Sequence, residues 1–190
     1  MIEELETGIA TAIAWSLVGG AFLVPGANAI STRRSSAPAL PAVCAGANLV
    51  ADAANVNTVR ASVLCLVNAE RARAGRAALT DNALLAQAAQ AHSVDMVARS
   101  FFAHTTPDGV TFDVRIQRTG YAGWTLGENI AWGGGTLATA QSTVAMWIAS
   151  PAHEANIVNA NFAESGIGVA LGTPTAGLAG ATFTQDFGAR

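Results

Sequence analysis

The chain has no lysine. All ten of its basic residues are arginine, set against thirteen acids, and only 12% of the 190 residues are charged. The arginines are scattered along the chain and do not cluster. A chain with neither a basic surplus nor a basic patch lacks what phosphate-backbone binding depends on, so nucleic acid is excluded as a partner. There are only two cysteines, Cys44 and Cys65, and no further ligands stand at the spacing that a cysteine-built zinc site needs. The glycine run Gly133-Gly134-Gly135 reads as a flexible connector; it lacks the spacing and the Lys-Ser/Thr of a phosphate loop. His153-Glu154-Ala155-Asn156-Ile157 fails as a zinc-protease helix because position 157 is isoleucine where a second histidine is required. No internal repeat or low-complexity tract interrupts the folded part.

What is present is apolar. At 51% hydrophobic residues, the chain can bury one core and is too short for two comfortable domains. No charge occurs from Thr7 to Thr32. The apolar heart Ile9 to Val24 and the small-residue run Ala27-Asn28-Ala29 give residues 1–29 the pattern of a signal peptide or, uncleaved, of a membrane anchor. Glu3, Glu4 and Glu6 depart from that pattern, since the leading segment of a signal is normally basic. Removal of residues 1–29 would leave ten acids against ten arginines. Residues 31–43 are rich in Ser, Pro and Ala, and residues 30–54 are expected to be a linker ahead of a folded domain over 55–190. In an exported chain Cys44 and Cys65 are expected to form a disulfide worth about 3 kcal/mol; two buried thiols are the alternative.

Apolar spacing predicts a helix from Asn57 to Arg73 through Val59, Val63, Leu66 and Val67, with Gly75 past its end. A second helix follows the cap signal Thr80-Asp81-Asn82 and runs to about Arg99, with Leu84, Leu85, Ala88, Ala91, Val94 and Met96 on its buried face. His92 within it reads as a core-edge histidine satisfied by a hydrogen bond. Thr111 can cap a short helix to Arg118. Another helix is expected from Thr136 to Ala149, carrying Leu137, Val144, Trp147 and Ile148, and Pro151 is placed to begin the next turn. Gly166–Leu171 and Thr182–Phe187 read as two antiparallel strands. The class is α+β, with helices layered on a small sheet.

Three segments put polar residues among apolar ones without a packing reason: Phe101-Phe102-Ala103-His104, Gly127-Glu128-Asn129-Ile130, and Trp147 through Ile157. Together with Leu66-Val67-Asn68-Ala69-Glu70-Arg71, Gly166-Ile167-Gly168-Val169 and Thr184-Gln185-Asp186-Phe187-Gly188, they resemble the bacterial branch of the CAP superfamily. This group, also called SCP domains, includes cysteine-rich secretory proteins, antigen 5 and pathogenesis-related 1 proteins. The resemblance spans about residues 55 to 188. It implies a three-layer α-β-α sandwich with a central antiparallel sheet, export, and a cleft lined by two histidines and two acids that sometimes holds a divalent metal. His104 and Glu128 match the family pattern directly. The Gly-His-Tyr-Thr-Gln motif of eukaryotic members is absent, and the bacterial pattern offers His153 in its place. His104, Glu128 and His153 are therefore expected to converge, with Ser150, Asn129 and Gln185 behind them.

Two imidazoles and one carboxylate could hold Zn2+ or a similar ion on His104 and His153, with water in the open position. Equally, Glu128 could fix one histidine's tautomer while the other acts as acid or base. The expected function is an exported, monomeric binding module for a small hydrophobic ligand, a peptide or a cell-wall component. It would meet the membrane only through an uncleaved N-terminal segment. A metal-assisted or histidine-based hydrolase and a surface interaction domain without activity are the alternatives.

Overall fold

A computed structural model describes residues 44–190. The proposed signal or anchor, and the linker as far as residue 43, lie outside the described residues. The folded region begins earlier than residue 55. Cys44 and Ala51 are buried, Cys44 is bonded to Cys65, and the amide of Ala51 donates to the carbonyl of Ala138. Residues 44–54 are thus part of the packed domain, tethered covalently at one end and by backbone hydrogen bonds along the rest.

Among the described residues five α-helices and four strands follow: α1 (Val56–Arg73), β1 (Thr80–Asp81), α2 (Ala83–Ala98), α3 (Phe112–Arg118), β2 (Thr125–Gly134), α4 (Ala140–Ile148), α5 (Pro151–Ile157), β3 (Glu164–Leu171) and β4 (Gly180–Ala189). The sheet order is β1-β3-β4-β2, antiparallel except for the short parallel pair β1–β3. Helix α2 begins where its cap signal stands, with the Asn82 side chain accepting from the amides of Leu84 and Leu85. Pro151 opens α5 as expected, since its missing N–H falls where no helical partner exists.

Register decides which side chain meets which layer. In antiparallel pairs, directly opposed residues share a face. On one face lie Gly166, Gly168, Thr184, Asp186 and Glu128; on the other lie Ile167, Val169, Phe183, Gln185, Phe187, Asn129 and Ala131. Helix α2 lies directly on the first. A Cβ at Gly166 or Gly168 would collide with the backbone of Ala86 or Ala89, so glycine here sets how closely helix and strand approach. That contact rotates the buried stripe of α2 onto Leu85, Ala86, Ala88, Ala89, His92, Ser93 and Met96. Ala91 and Val94, expected inside, are exposed. Helices α1, α4 and α5 cover the other face over a core of Val59, Val63, Val67, Trp147, Phe183 and Phe187. The three-layer α-β-α sandwich is therefore present.

Two elements differ from expectation. Gly133 and Gly134, expected in a flexible connector, instead end β2, which also contains Gly127–Ile130 and pairs with β4 along its whole length. Its glycines are packing residues: a Cβ at Gly133 would strike the Leu137 carbonyl. Helix α4 starts at Ala140, not Thr136. Thr139 caps it by accepting from the amide of Ser142, while Leu137, 57% exposed, falls in a preceding 3-10 turn.

Candidate functional site

His104 is presented by a turn held from three directions. Helix α2 ends with Ser100 in the left-handed region at φ 53°, the single non-glycine residue with positive φ among the described residues. The amide of Phe101 donates back to Met96 O at 3.1 Å. This reversal throws Phe101–His104 off the helix end. His92 Nε2 then donates to the carbonyl of Ala103 at 3.0 Å, and Arg115 Nη1 donates to the carbonyl of His104 at 2.8 Å. Since His92 Nε2 faces a carbonyl it carries the proton, and Nδ1 is the bare nitrogen, buried without a partner. Burial foremost holds the basicity of His92 below the ordinary imidazole value, with Arg115 adding to that and Glu128, Ala103 O and Asp95 opposing. His92 is thus a core histidine hydrogen-bonded through one nitrogen only, and that bond fixes the backbone before His104.

The His104 ring bonds through Nδ1 to Glu128 Oε1 at 2.8 Å, while Arg115 Nη2 donates to Glu128 Oε2 at 2.5 Å. Exposure is sharply graded across the three: 47% for the His104 side chain, 10% for Arg115 and 0% for Glu128. A fully buried carboxylate needs a partner, and the guanidinium supplies one in the geometry it suits. With Nδ1 bound to the carboxylate, His104 turns its other nitrogen outward in a defined tautomer.

Asn129, one residue on, points through the opposite face of β2. Its Nδ2 donates to the carbonyl of His153 at 3.2 Å, and its Oδ1 accepts from Asn156 Nδ2 at 2.9 Å. Asn156 also reaches the carbonyl of Glu128 at 3.3 Å. These amides seat α5 on β2. The bond from Asn129 goes to the His153 backbone and not to its ring, whose Nδ1 is buried without a partner. His153 is held below the ordinary imidazole basicity by burial first and by His104 second. β2 is an edge strand, so His104 from one layer and His153 from the other approach the same edge. The Gln185 side chain bonds to neither ring: it is fully buried and donates to Ser165 Oγ at 3.0 Å. The Ser150 side chain forms no hydrogen bond among the described residues, and nothing couples it to His153.

The donor set does not fit a divalent cation shared by His104, His153 and Glu128. Both oxygens of Glu128 are engaged, one by a cation, and no three His, Cys, Asp or Glu side chains are grouped for a metal among the described residues. The arrangement can instead polarise an exposed imidazole, which then accepts or donates one hydrogen bond or one proton. Arg115 and Asp186 are the functional candidates that sequence reasoning missed. Arg115 lies on a short helix with no distinguishing pattern, but Asp186 carried a signal: an acid inside an otherwise uncharged strand.

The sequence matches the family described as CAP, cysteine-rich secretory protein family, over residues 64–187, well over half of the chain. This protein belongs to the CAP family. Among curated relatives, the protein YkwD of Bacillus subtilis strain 168, described as uncharacterized, is 32% identical over 156 residues, which are 81% of this chain and 56% of YkwD. The CAP chain thus spans little more than half the length of that relative. An extracellular SCP-domain protein of Bacillus anthracis is similar in structure, with TM-score 0.60 and 27% identity over 70% of this chain and 41% of that one. An outer surface protein of Borrelia burgdorferi shares the fold at TM-score 0.56 and 20% identity, covering 67% of this chain and 90% of its own. A cysteine-rich secretory protein of Staphylococcus aureus does so at TM-score 0.56 and 17% identity, over 70% and 39%.

Proposed function

We propose that this CAP domain is exported and binds a peptide or cell-wall fragment at the β2 edge, through a hydrogen bond to the outward nitrogen of His104. The observation that carries this reading is the gradient from a fully buried Glu128 to a half-exposed His104. Burying a carboxylate to orient a solvent-facing ring costs stability, and a presented polar group gives that cost a use. Export accords with the extracellular and outer-surface relatives, and no described helix is long and apolar enough to cross a membrane.

The test is a titration of the 44–190 domain with muropeptides and with unrelated peptides, followed through the ring resonances of His104 and His153. Saturable shifts that disappear in His104→Ala are expected. A lipid ligand would perturb instead the apolar hollow of about 450 Å3 at the opposite end of the β2–β4 ladder, lined by Val50, Ala51, Leu171 and Ala179 among others. Zinc added to the same sample is expected to find no stoichiometric site. Tight binding lost in both His104→Ala and His153→Ala would restore the metal reading. A hydrolase would require a nucleophile beside the imidazole, and turnover of any titrant would reveal one.

A further inference from the structure

Beneath His104 lies a second carboxyl group that the binding reading does not use. Asp186 on β4 is directly opposite Glu128 on β2, so the two side chains leave the same face of adjacent strands, with Cβ atoms about 5 Å apart. Both are buried, Glu128 at 4% and Asp186 at 1% residue exposure. The charged and titratable groups facing them are Arg115 from α3, His92 from α2 and His104 from the turn after α2. On the remaining side Gly166 of β3, the other neighbour of Asp186, has no side chain to offer. Arg115 and His104 are both spent on Glu128, and neither oxygen of Asp186 meets a donor.

We propose that Asp186 is a neutral carboxylic acid that shares one proton with Glu128, and so acts as the positioning residue that holds the Glu128 carboxylate on His104. The charge balance requires it. One guanidinium can compensate one buried carboxylate, and a second, bare and without a donor, would carry an uncompensated burial cost. Asp186 lies within hydrogen-bonding range of Glu128 although two ionised carboxylates have no hydrogen to exchange; the contact becomes a bond once one oxygen is protonated. Burial first, and the Glu128 charge second, push the Asp186 carboxyl well above the usual range, with Arg115 opposing. Glu128 then accepts from three directions: Arg115, His104 and Asp186. This places the acid itself independently of any ligand, so its test stands apart from the binding test above.

The experiment is carbon-detected NMR of the side-chain carboxyls of the 44–190 domain from about pH 4 to pH 8, together with thermal unfolding of Asp186→Asn and Asp186→Ala. The Asp186 carboxyl carbon is expected to keep the shift of a neutral acid at neutral pH. Asp186→Asn replaces the O–H donor with an N–H donor and is expected to fold and to retain the His104 to Glu128 bond. Because the folded-state pKa is raised above the unfolded one, wild type has its full Asp186 contribution below about pH 4 and loses it as pH rises. The ratio of folding constants, Asp186→Asn over wild type, should therefore climb by up to tenfold per pH unit across that range. Asp186→Ala offers no donor and should lose the His104 bond. A carboxylate shift for Asp186 at neutral pH overturns the proposal, as does an Asp186→Asn variant as damaged as Asp186→Ala. If Asp186→Ala does not fold, the wild-type carboxyl shift decides alone.

Discussion

The buried guanidinium of Arg71 and the buried carboxylate of Glu128 are treated in opposite ways. Arg71, at the end of α1, is 1% exposed and has no carboxylate partner. Its guanidinium donates to four backbone carbonyls, of Ala77, Ile157, Asn159 and Phe162, at 2.7 to 3.2 Å, and none of its nitrogens is left unpaired. Those carbonyls belong to the turn after α1, the end of α5 and the approach to β3, so one side chain ties three segments together. Glu128 lies under the other face. Its partners are an exposed ring and a guanidinium, and the nitrogen His92 Nδ1, the nitrogen Arg115 Nε and both Asp186 oxygens around it lack conventional partners. The first cluster is closed and complete, which is what a structural staple needs. The second is incomplete and reaches solvent, as the proposed binding role of His104 requires.

The largest expected effect would test the first cluster. Arg71→Ala strands the buried carbonyls of Ile157 and Phe162, removes the partner of those of Ala77 and Asn159 and leaves a void, and should cost about 3–5 kcal/mol in urea unfolding with no specific change at His104. Equal loss of the His104 to Glu128 bond would break the distinction between staple and site. Replacement of both Cys44 and Cys65 by alanine comes next. The disulfide closes a loop of sequence separation 21, so its removal should cost about 3 kcal/mol by chain entropy, again with ligand-induced shifts preserved.

Glu128→Gln should do the reverse. A neutral amide keeps the shape but weakens the charge-assisted bonds to Arg115 and His104, with a stability loss of about 1–2 kcal/mol. Ligand affinity should fall about tenfold in the peptide titration, the worth of one such bond. Unchanged binding would show that the orientation of His104 is irrelevant to the ligand.

The smallest effect concerns pH. Burial holds His153 below the ordinary value of 6.5, so the unfolded chain takes up its proton first. Its contribution is complete above that value and is lost as pH falls through it toward the folded value. His153→Gln should flatten the decline in Tm between about pH 6.5 and pH 5, while His92, similarly depressed, keeps its own share. Asp186 acts with the opposite sign over part of that window, so the comparison is between variant and wild type at each pH.

Much of the fold is legible in the sequence because it follows from local rules. The 3.6-residue spacing of Val59, Val63, Leu66 and Val67 gives α1, the Asn82 cap starts α2 and Pro151 starts α5. β2 is hidden because Gly127, Gly133 and Gly134 resemble connector residues, and only the closeness of Phe162, Leu137 and Leu178 shows why no Cβ stands there. The candidate site divides in the same way. His104 and Glu128 are recognisable from their motifs, as is the bacterial histidine at 153. That Asn129 and Gln185 face away from Glu128 follows from strand alternation, once β2 is known to be a strand.

The sequence by itself determined the helices, the single core, the α+β class and the residues worth watching, because composition, caps and periodicity act over a few neighbouring residues. Only the tertiary structure decided that Arg115 guards Glu128, that Arg71 is a staple and that Asp186 lies under the site. Each depends on strand register and on layers that join residues tens of positions apart, and charge burial has no meaning until those layers have closed.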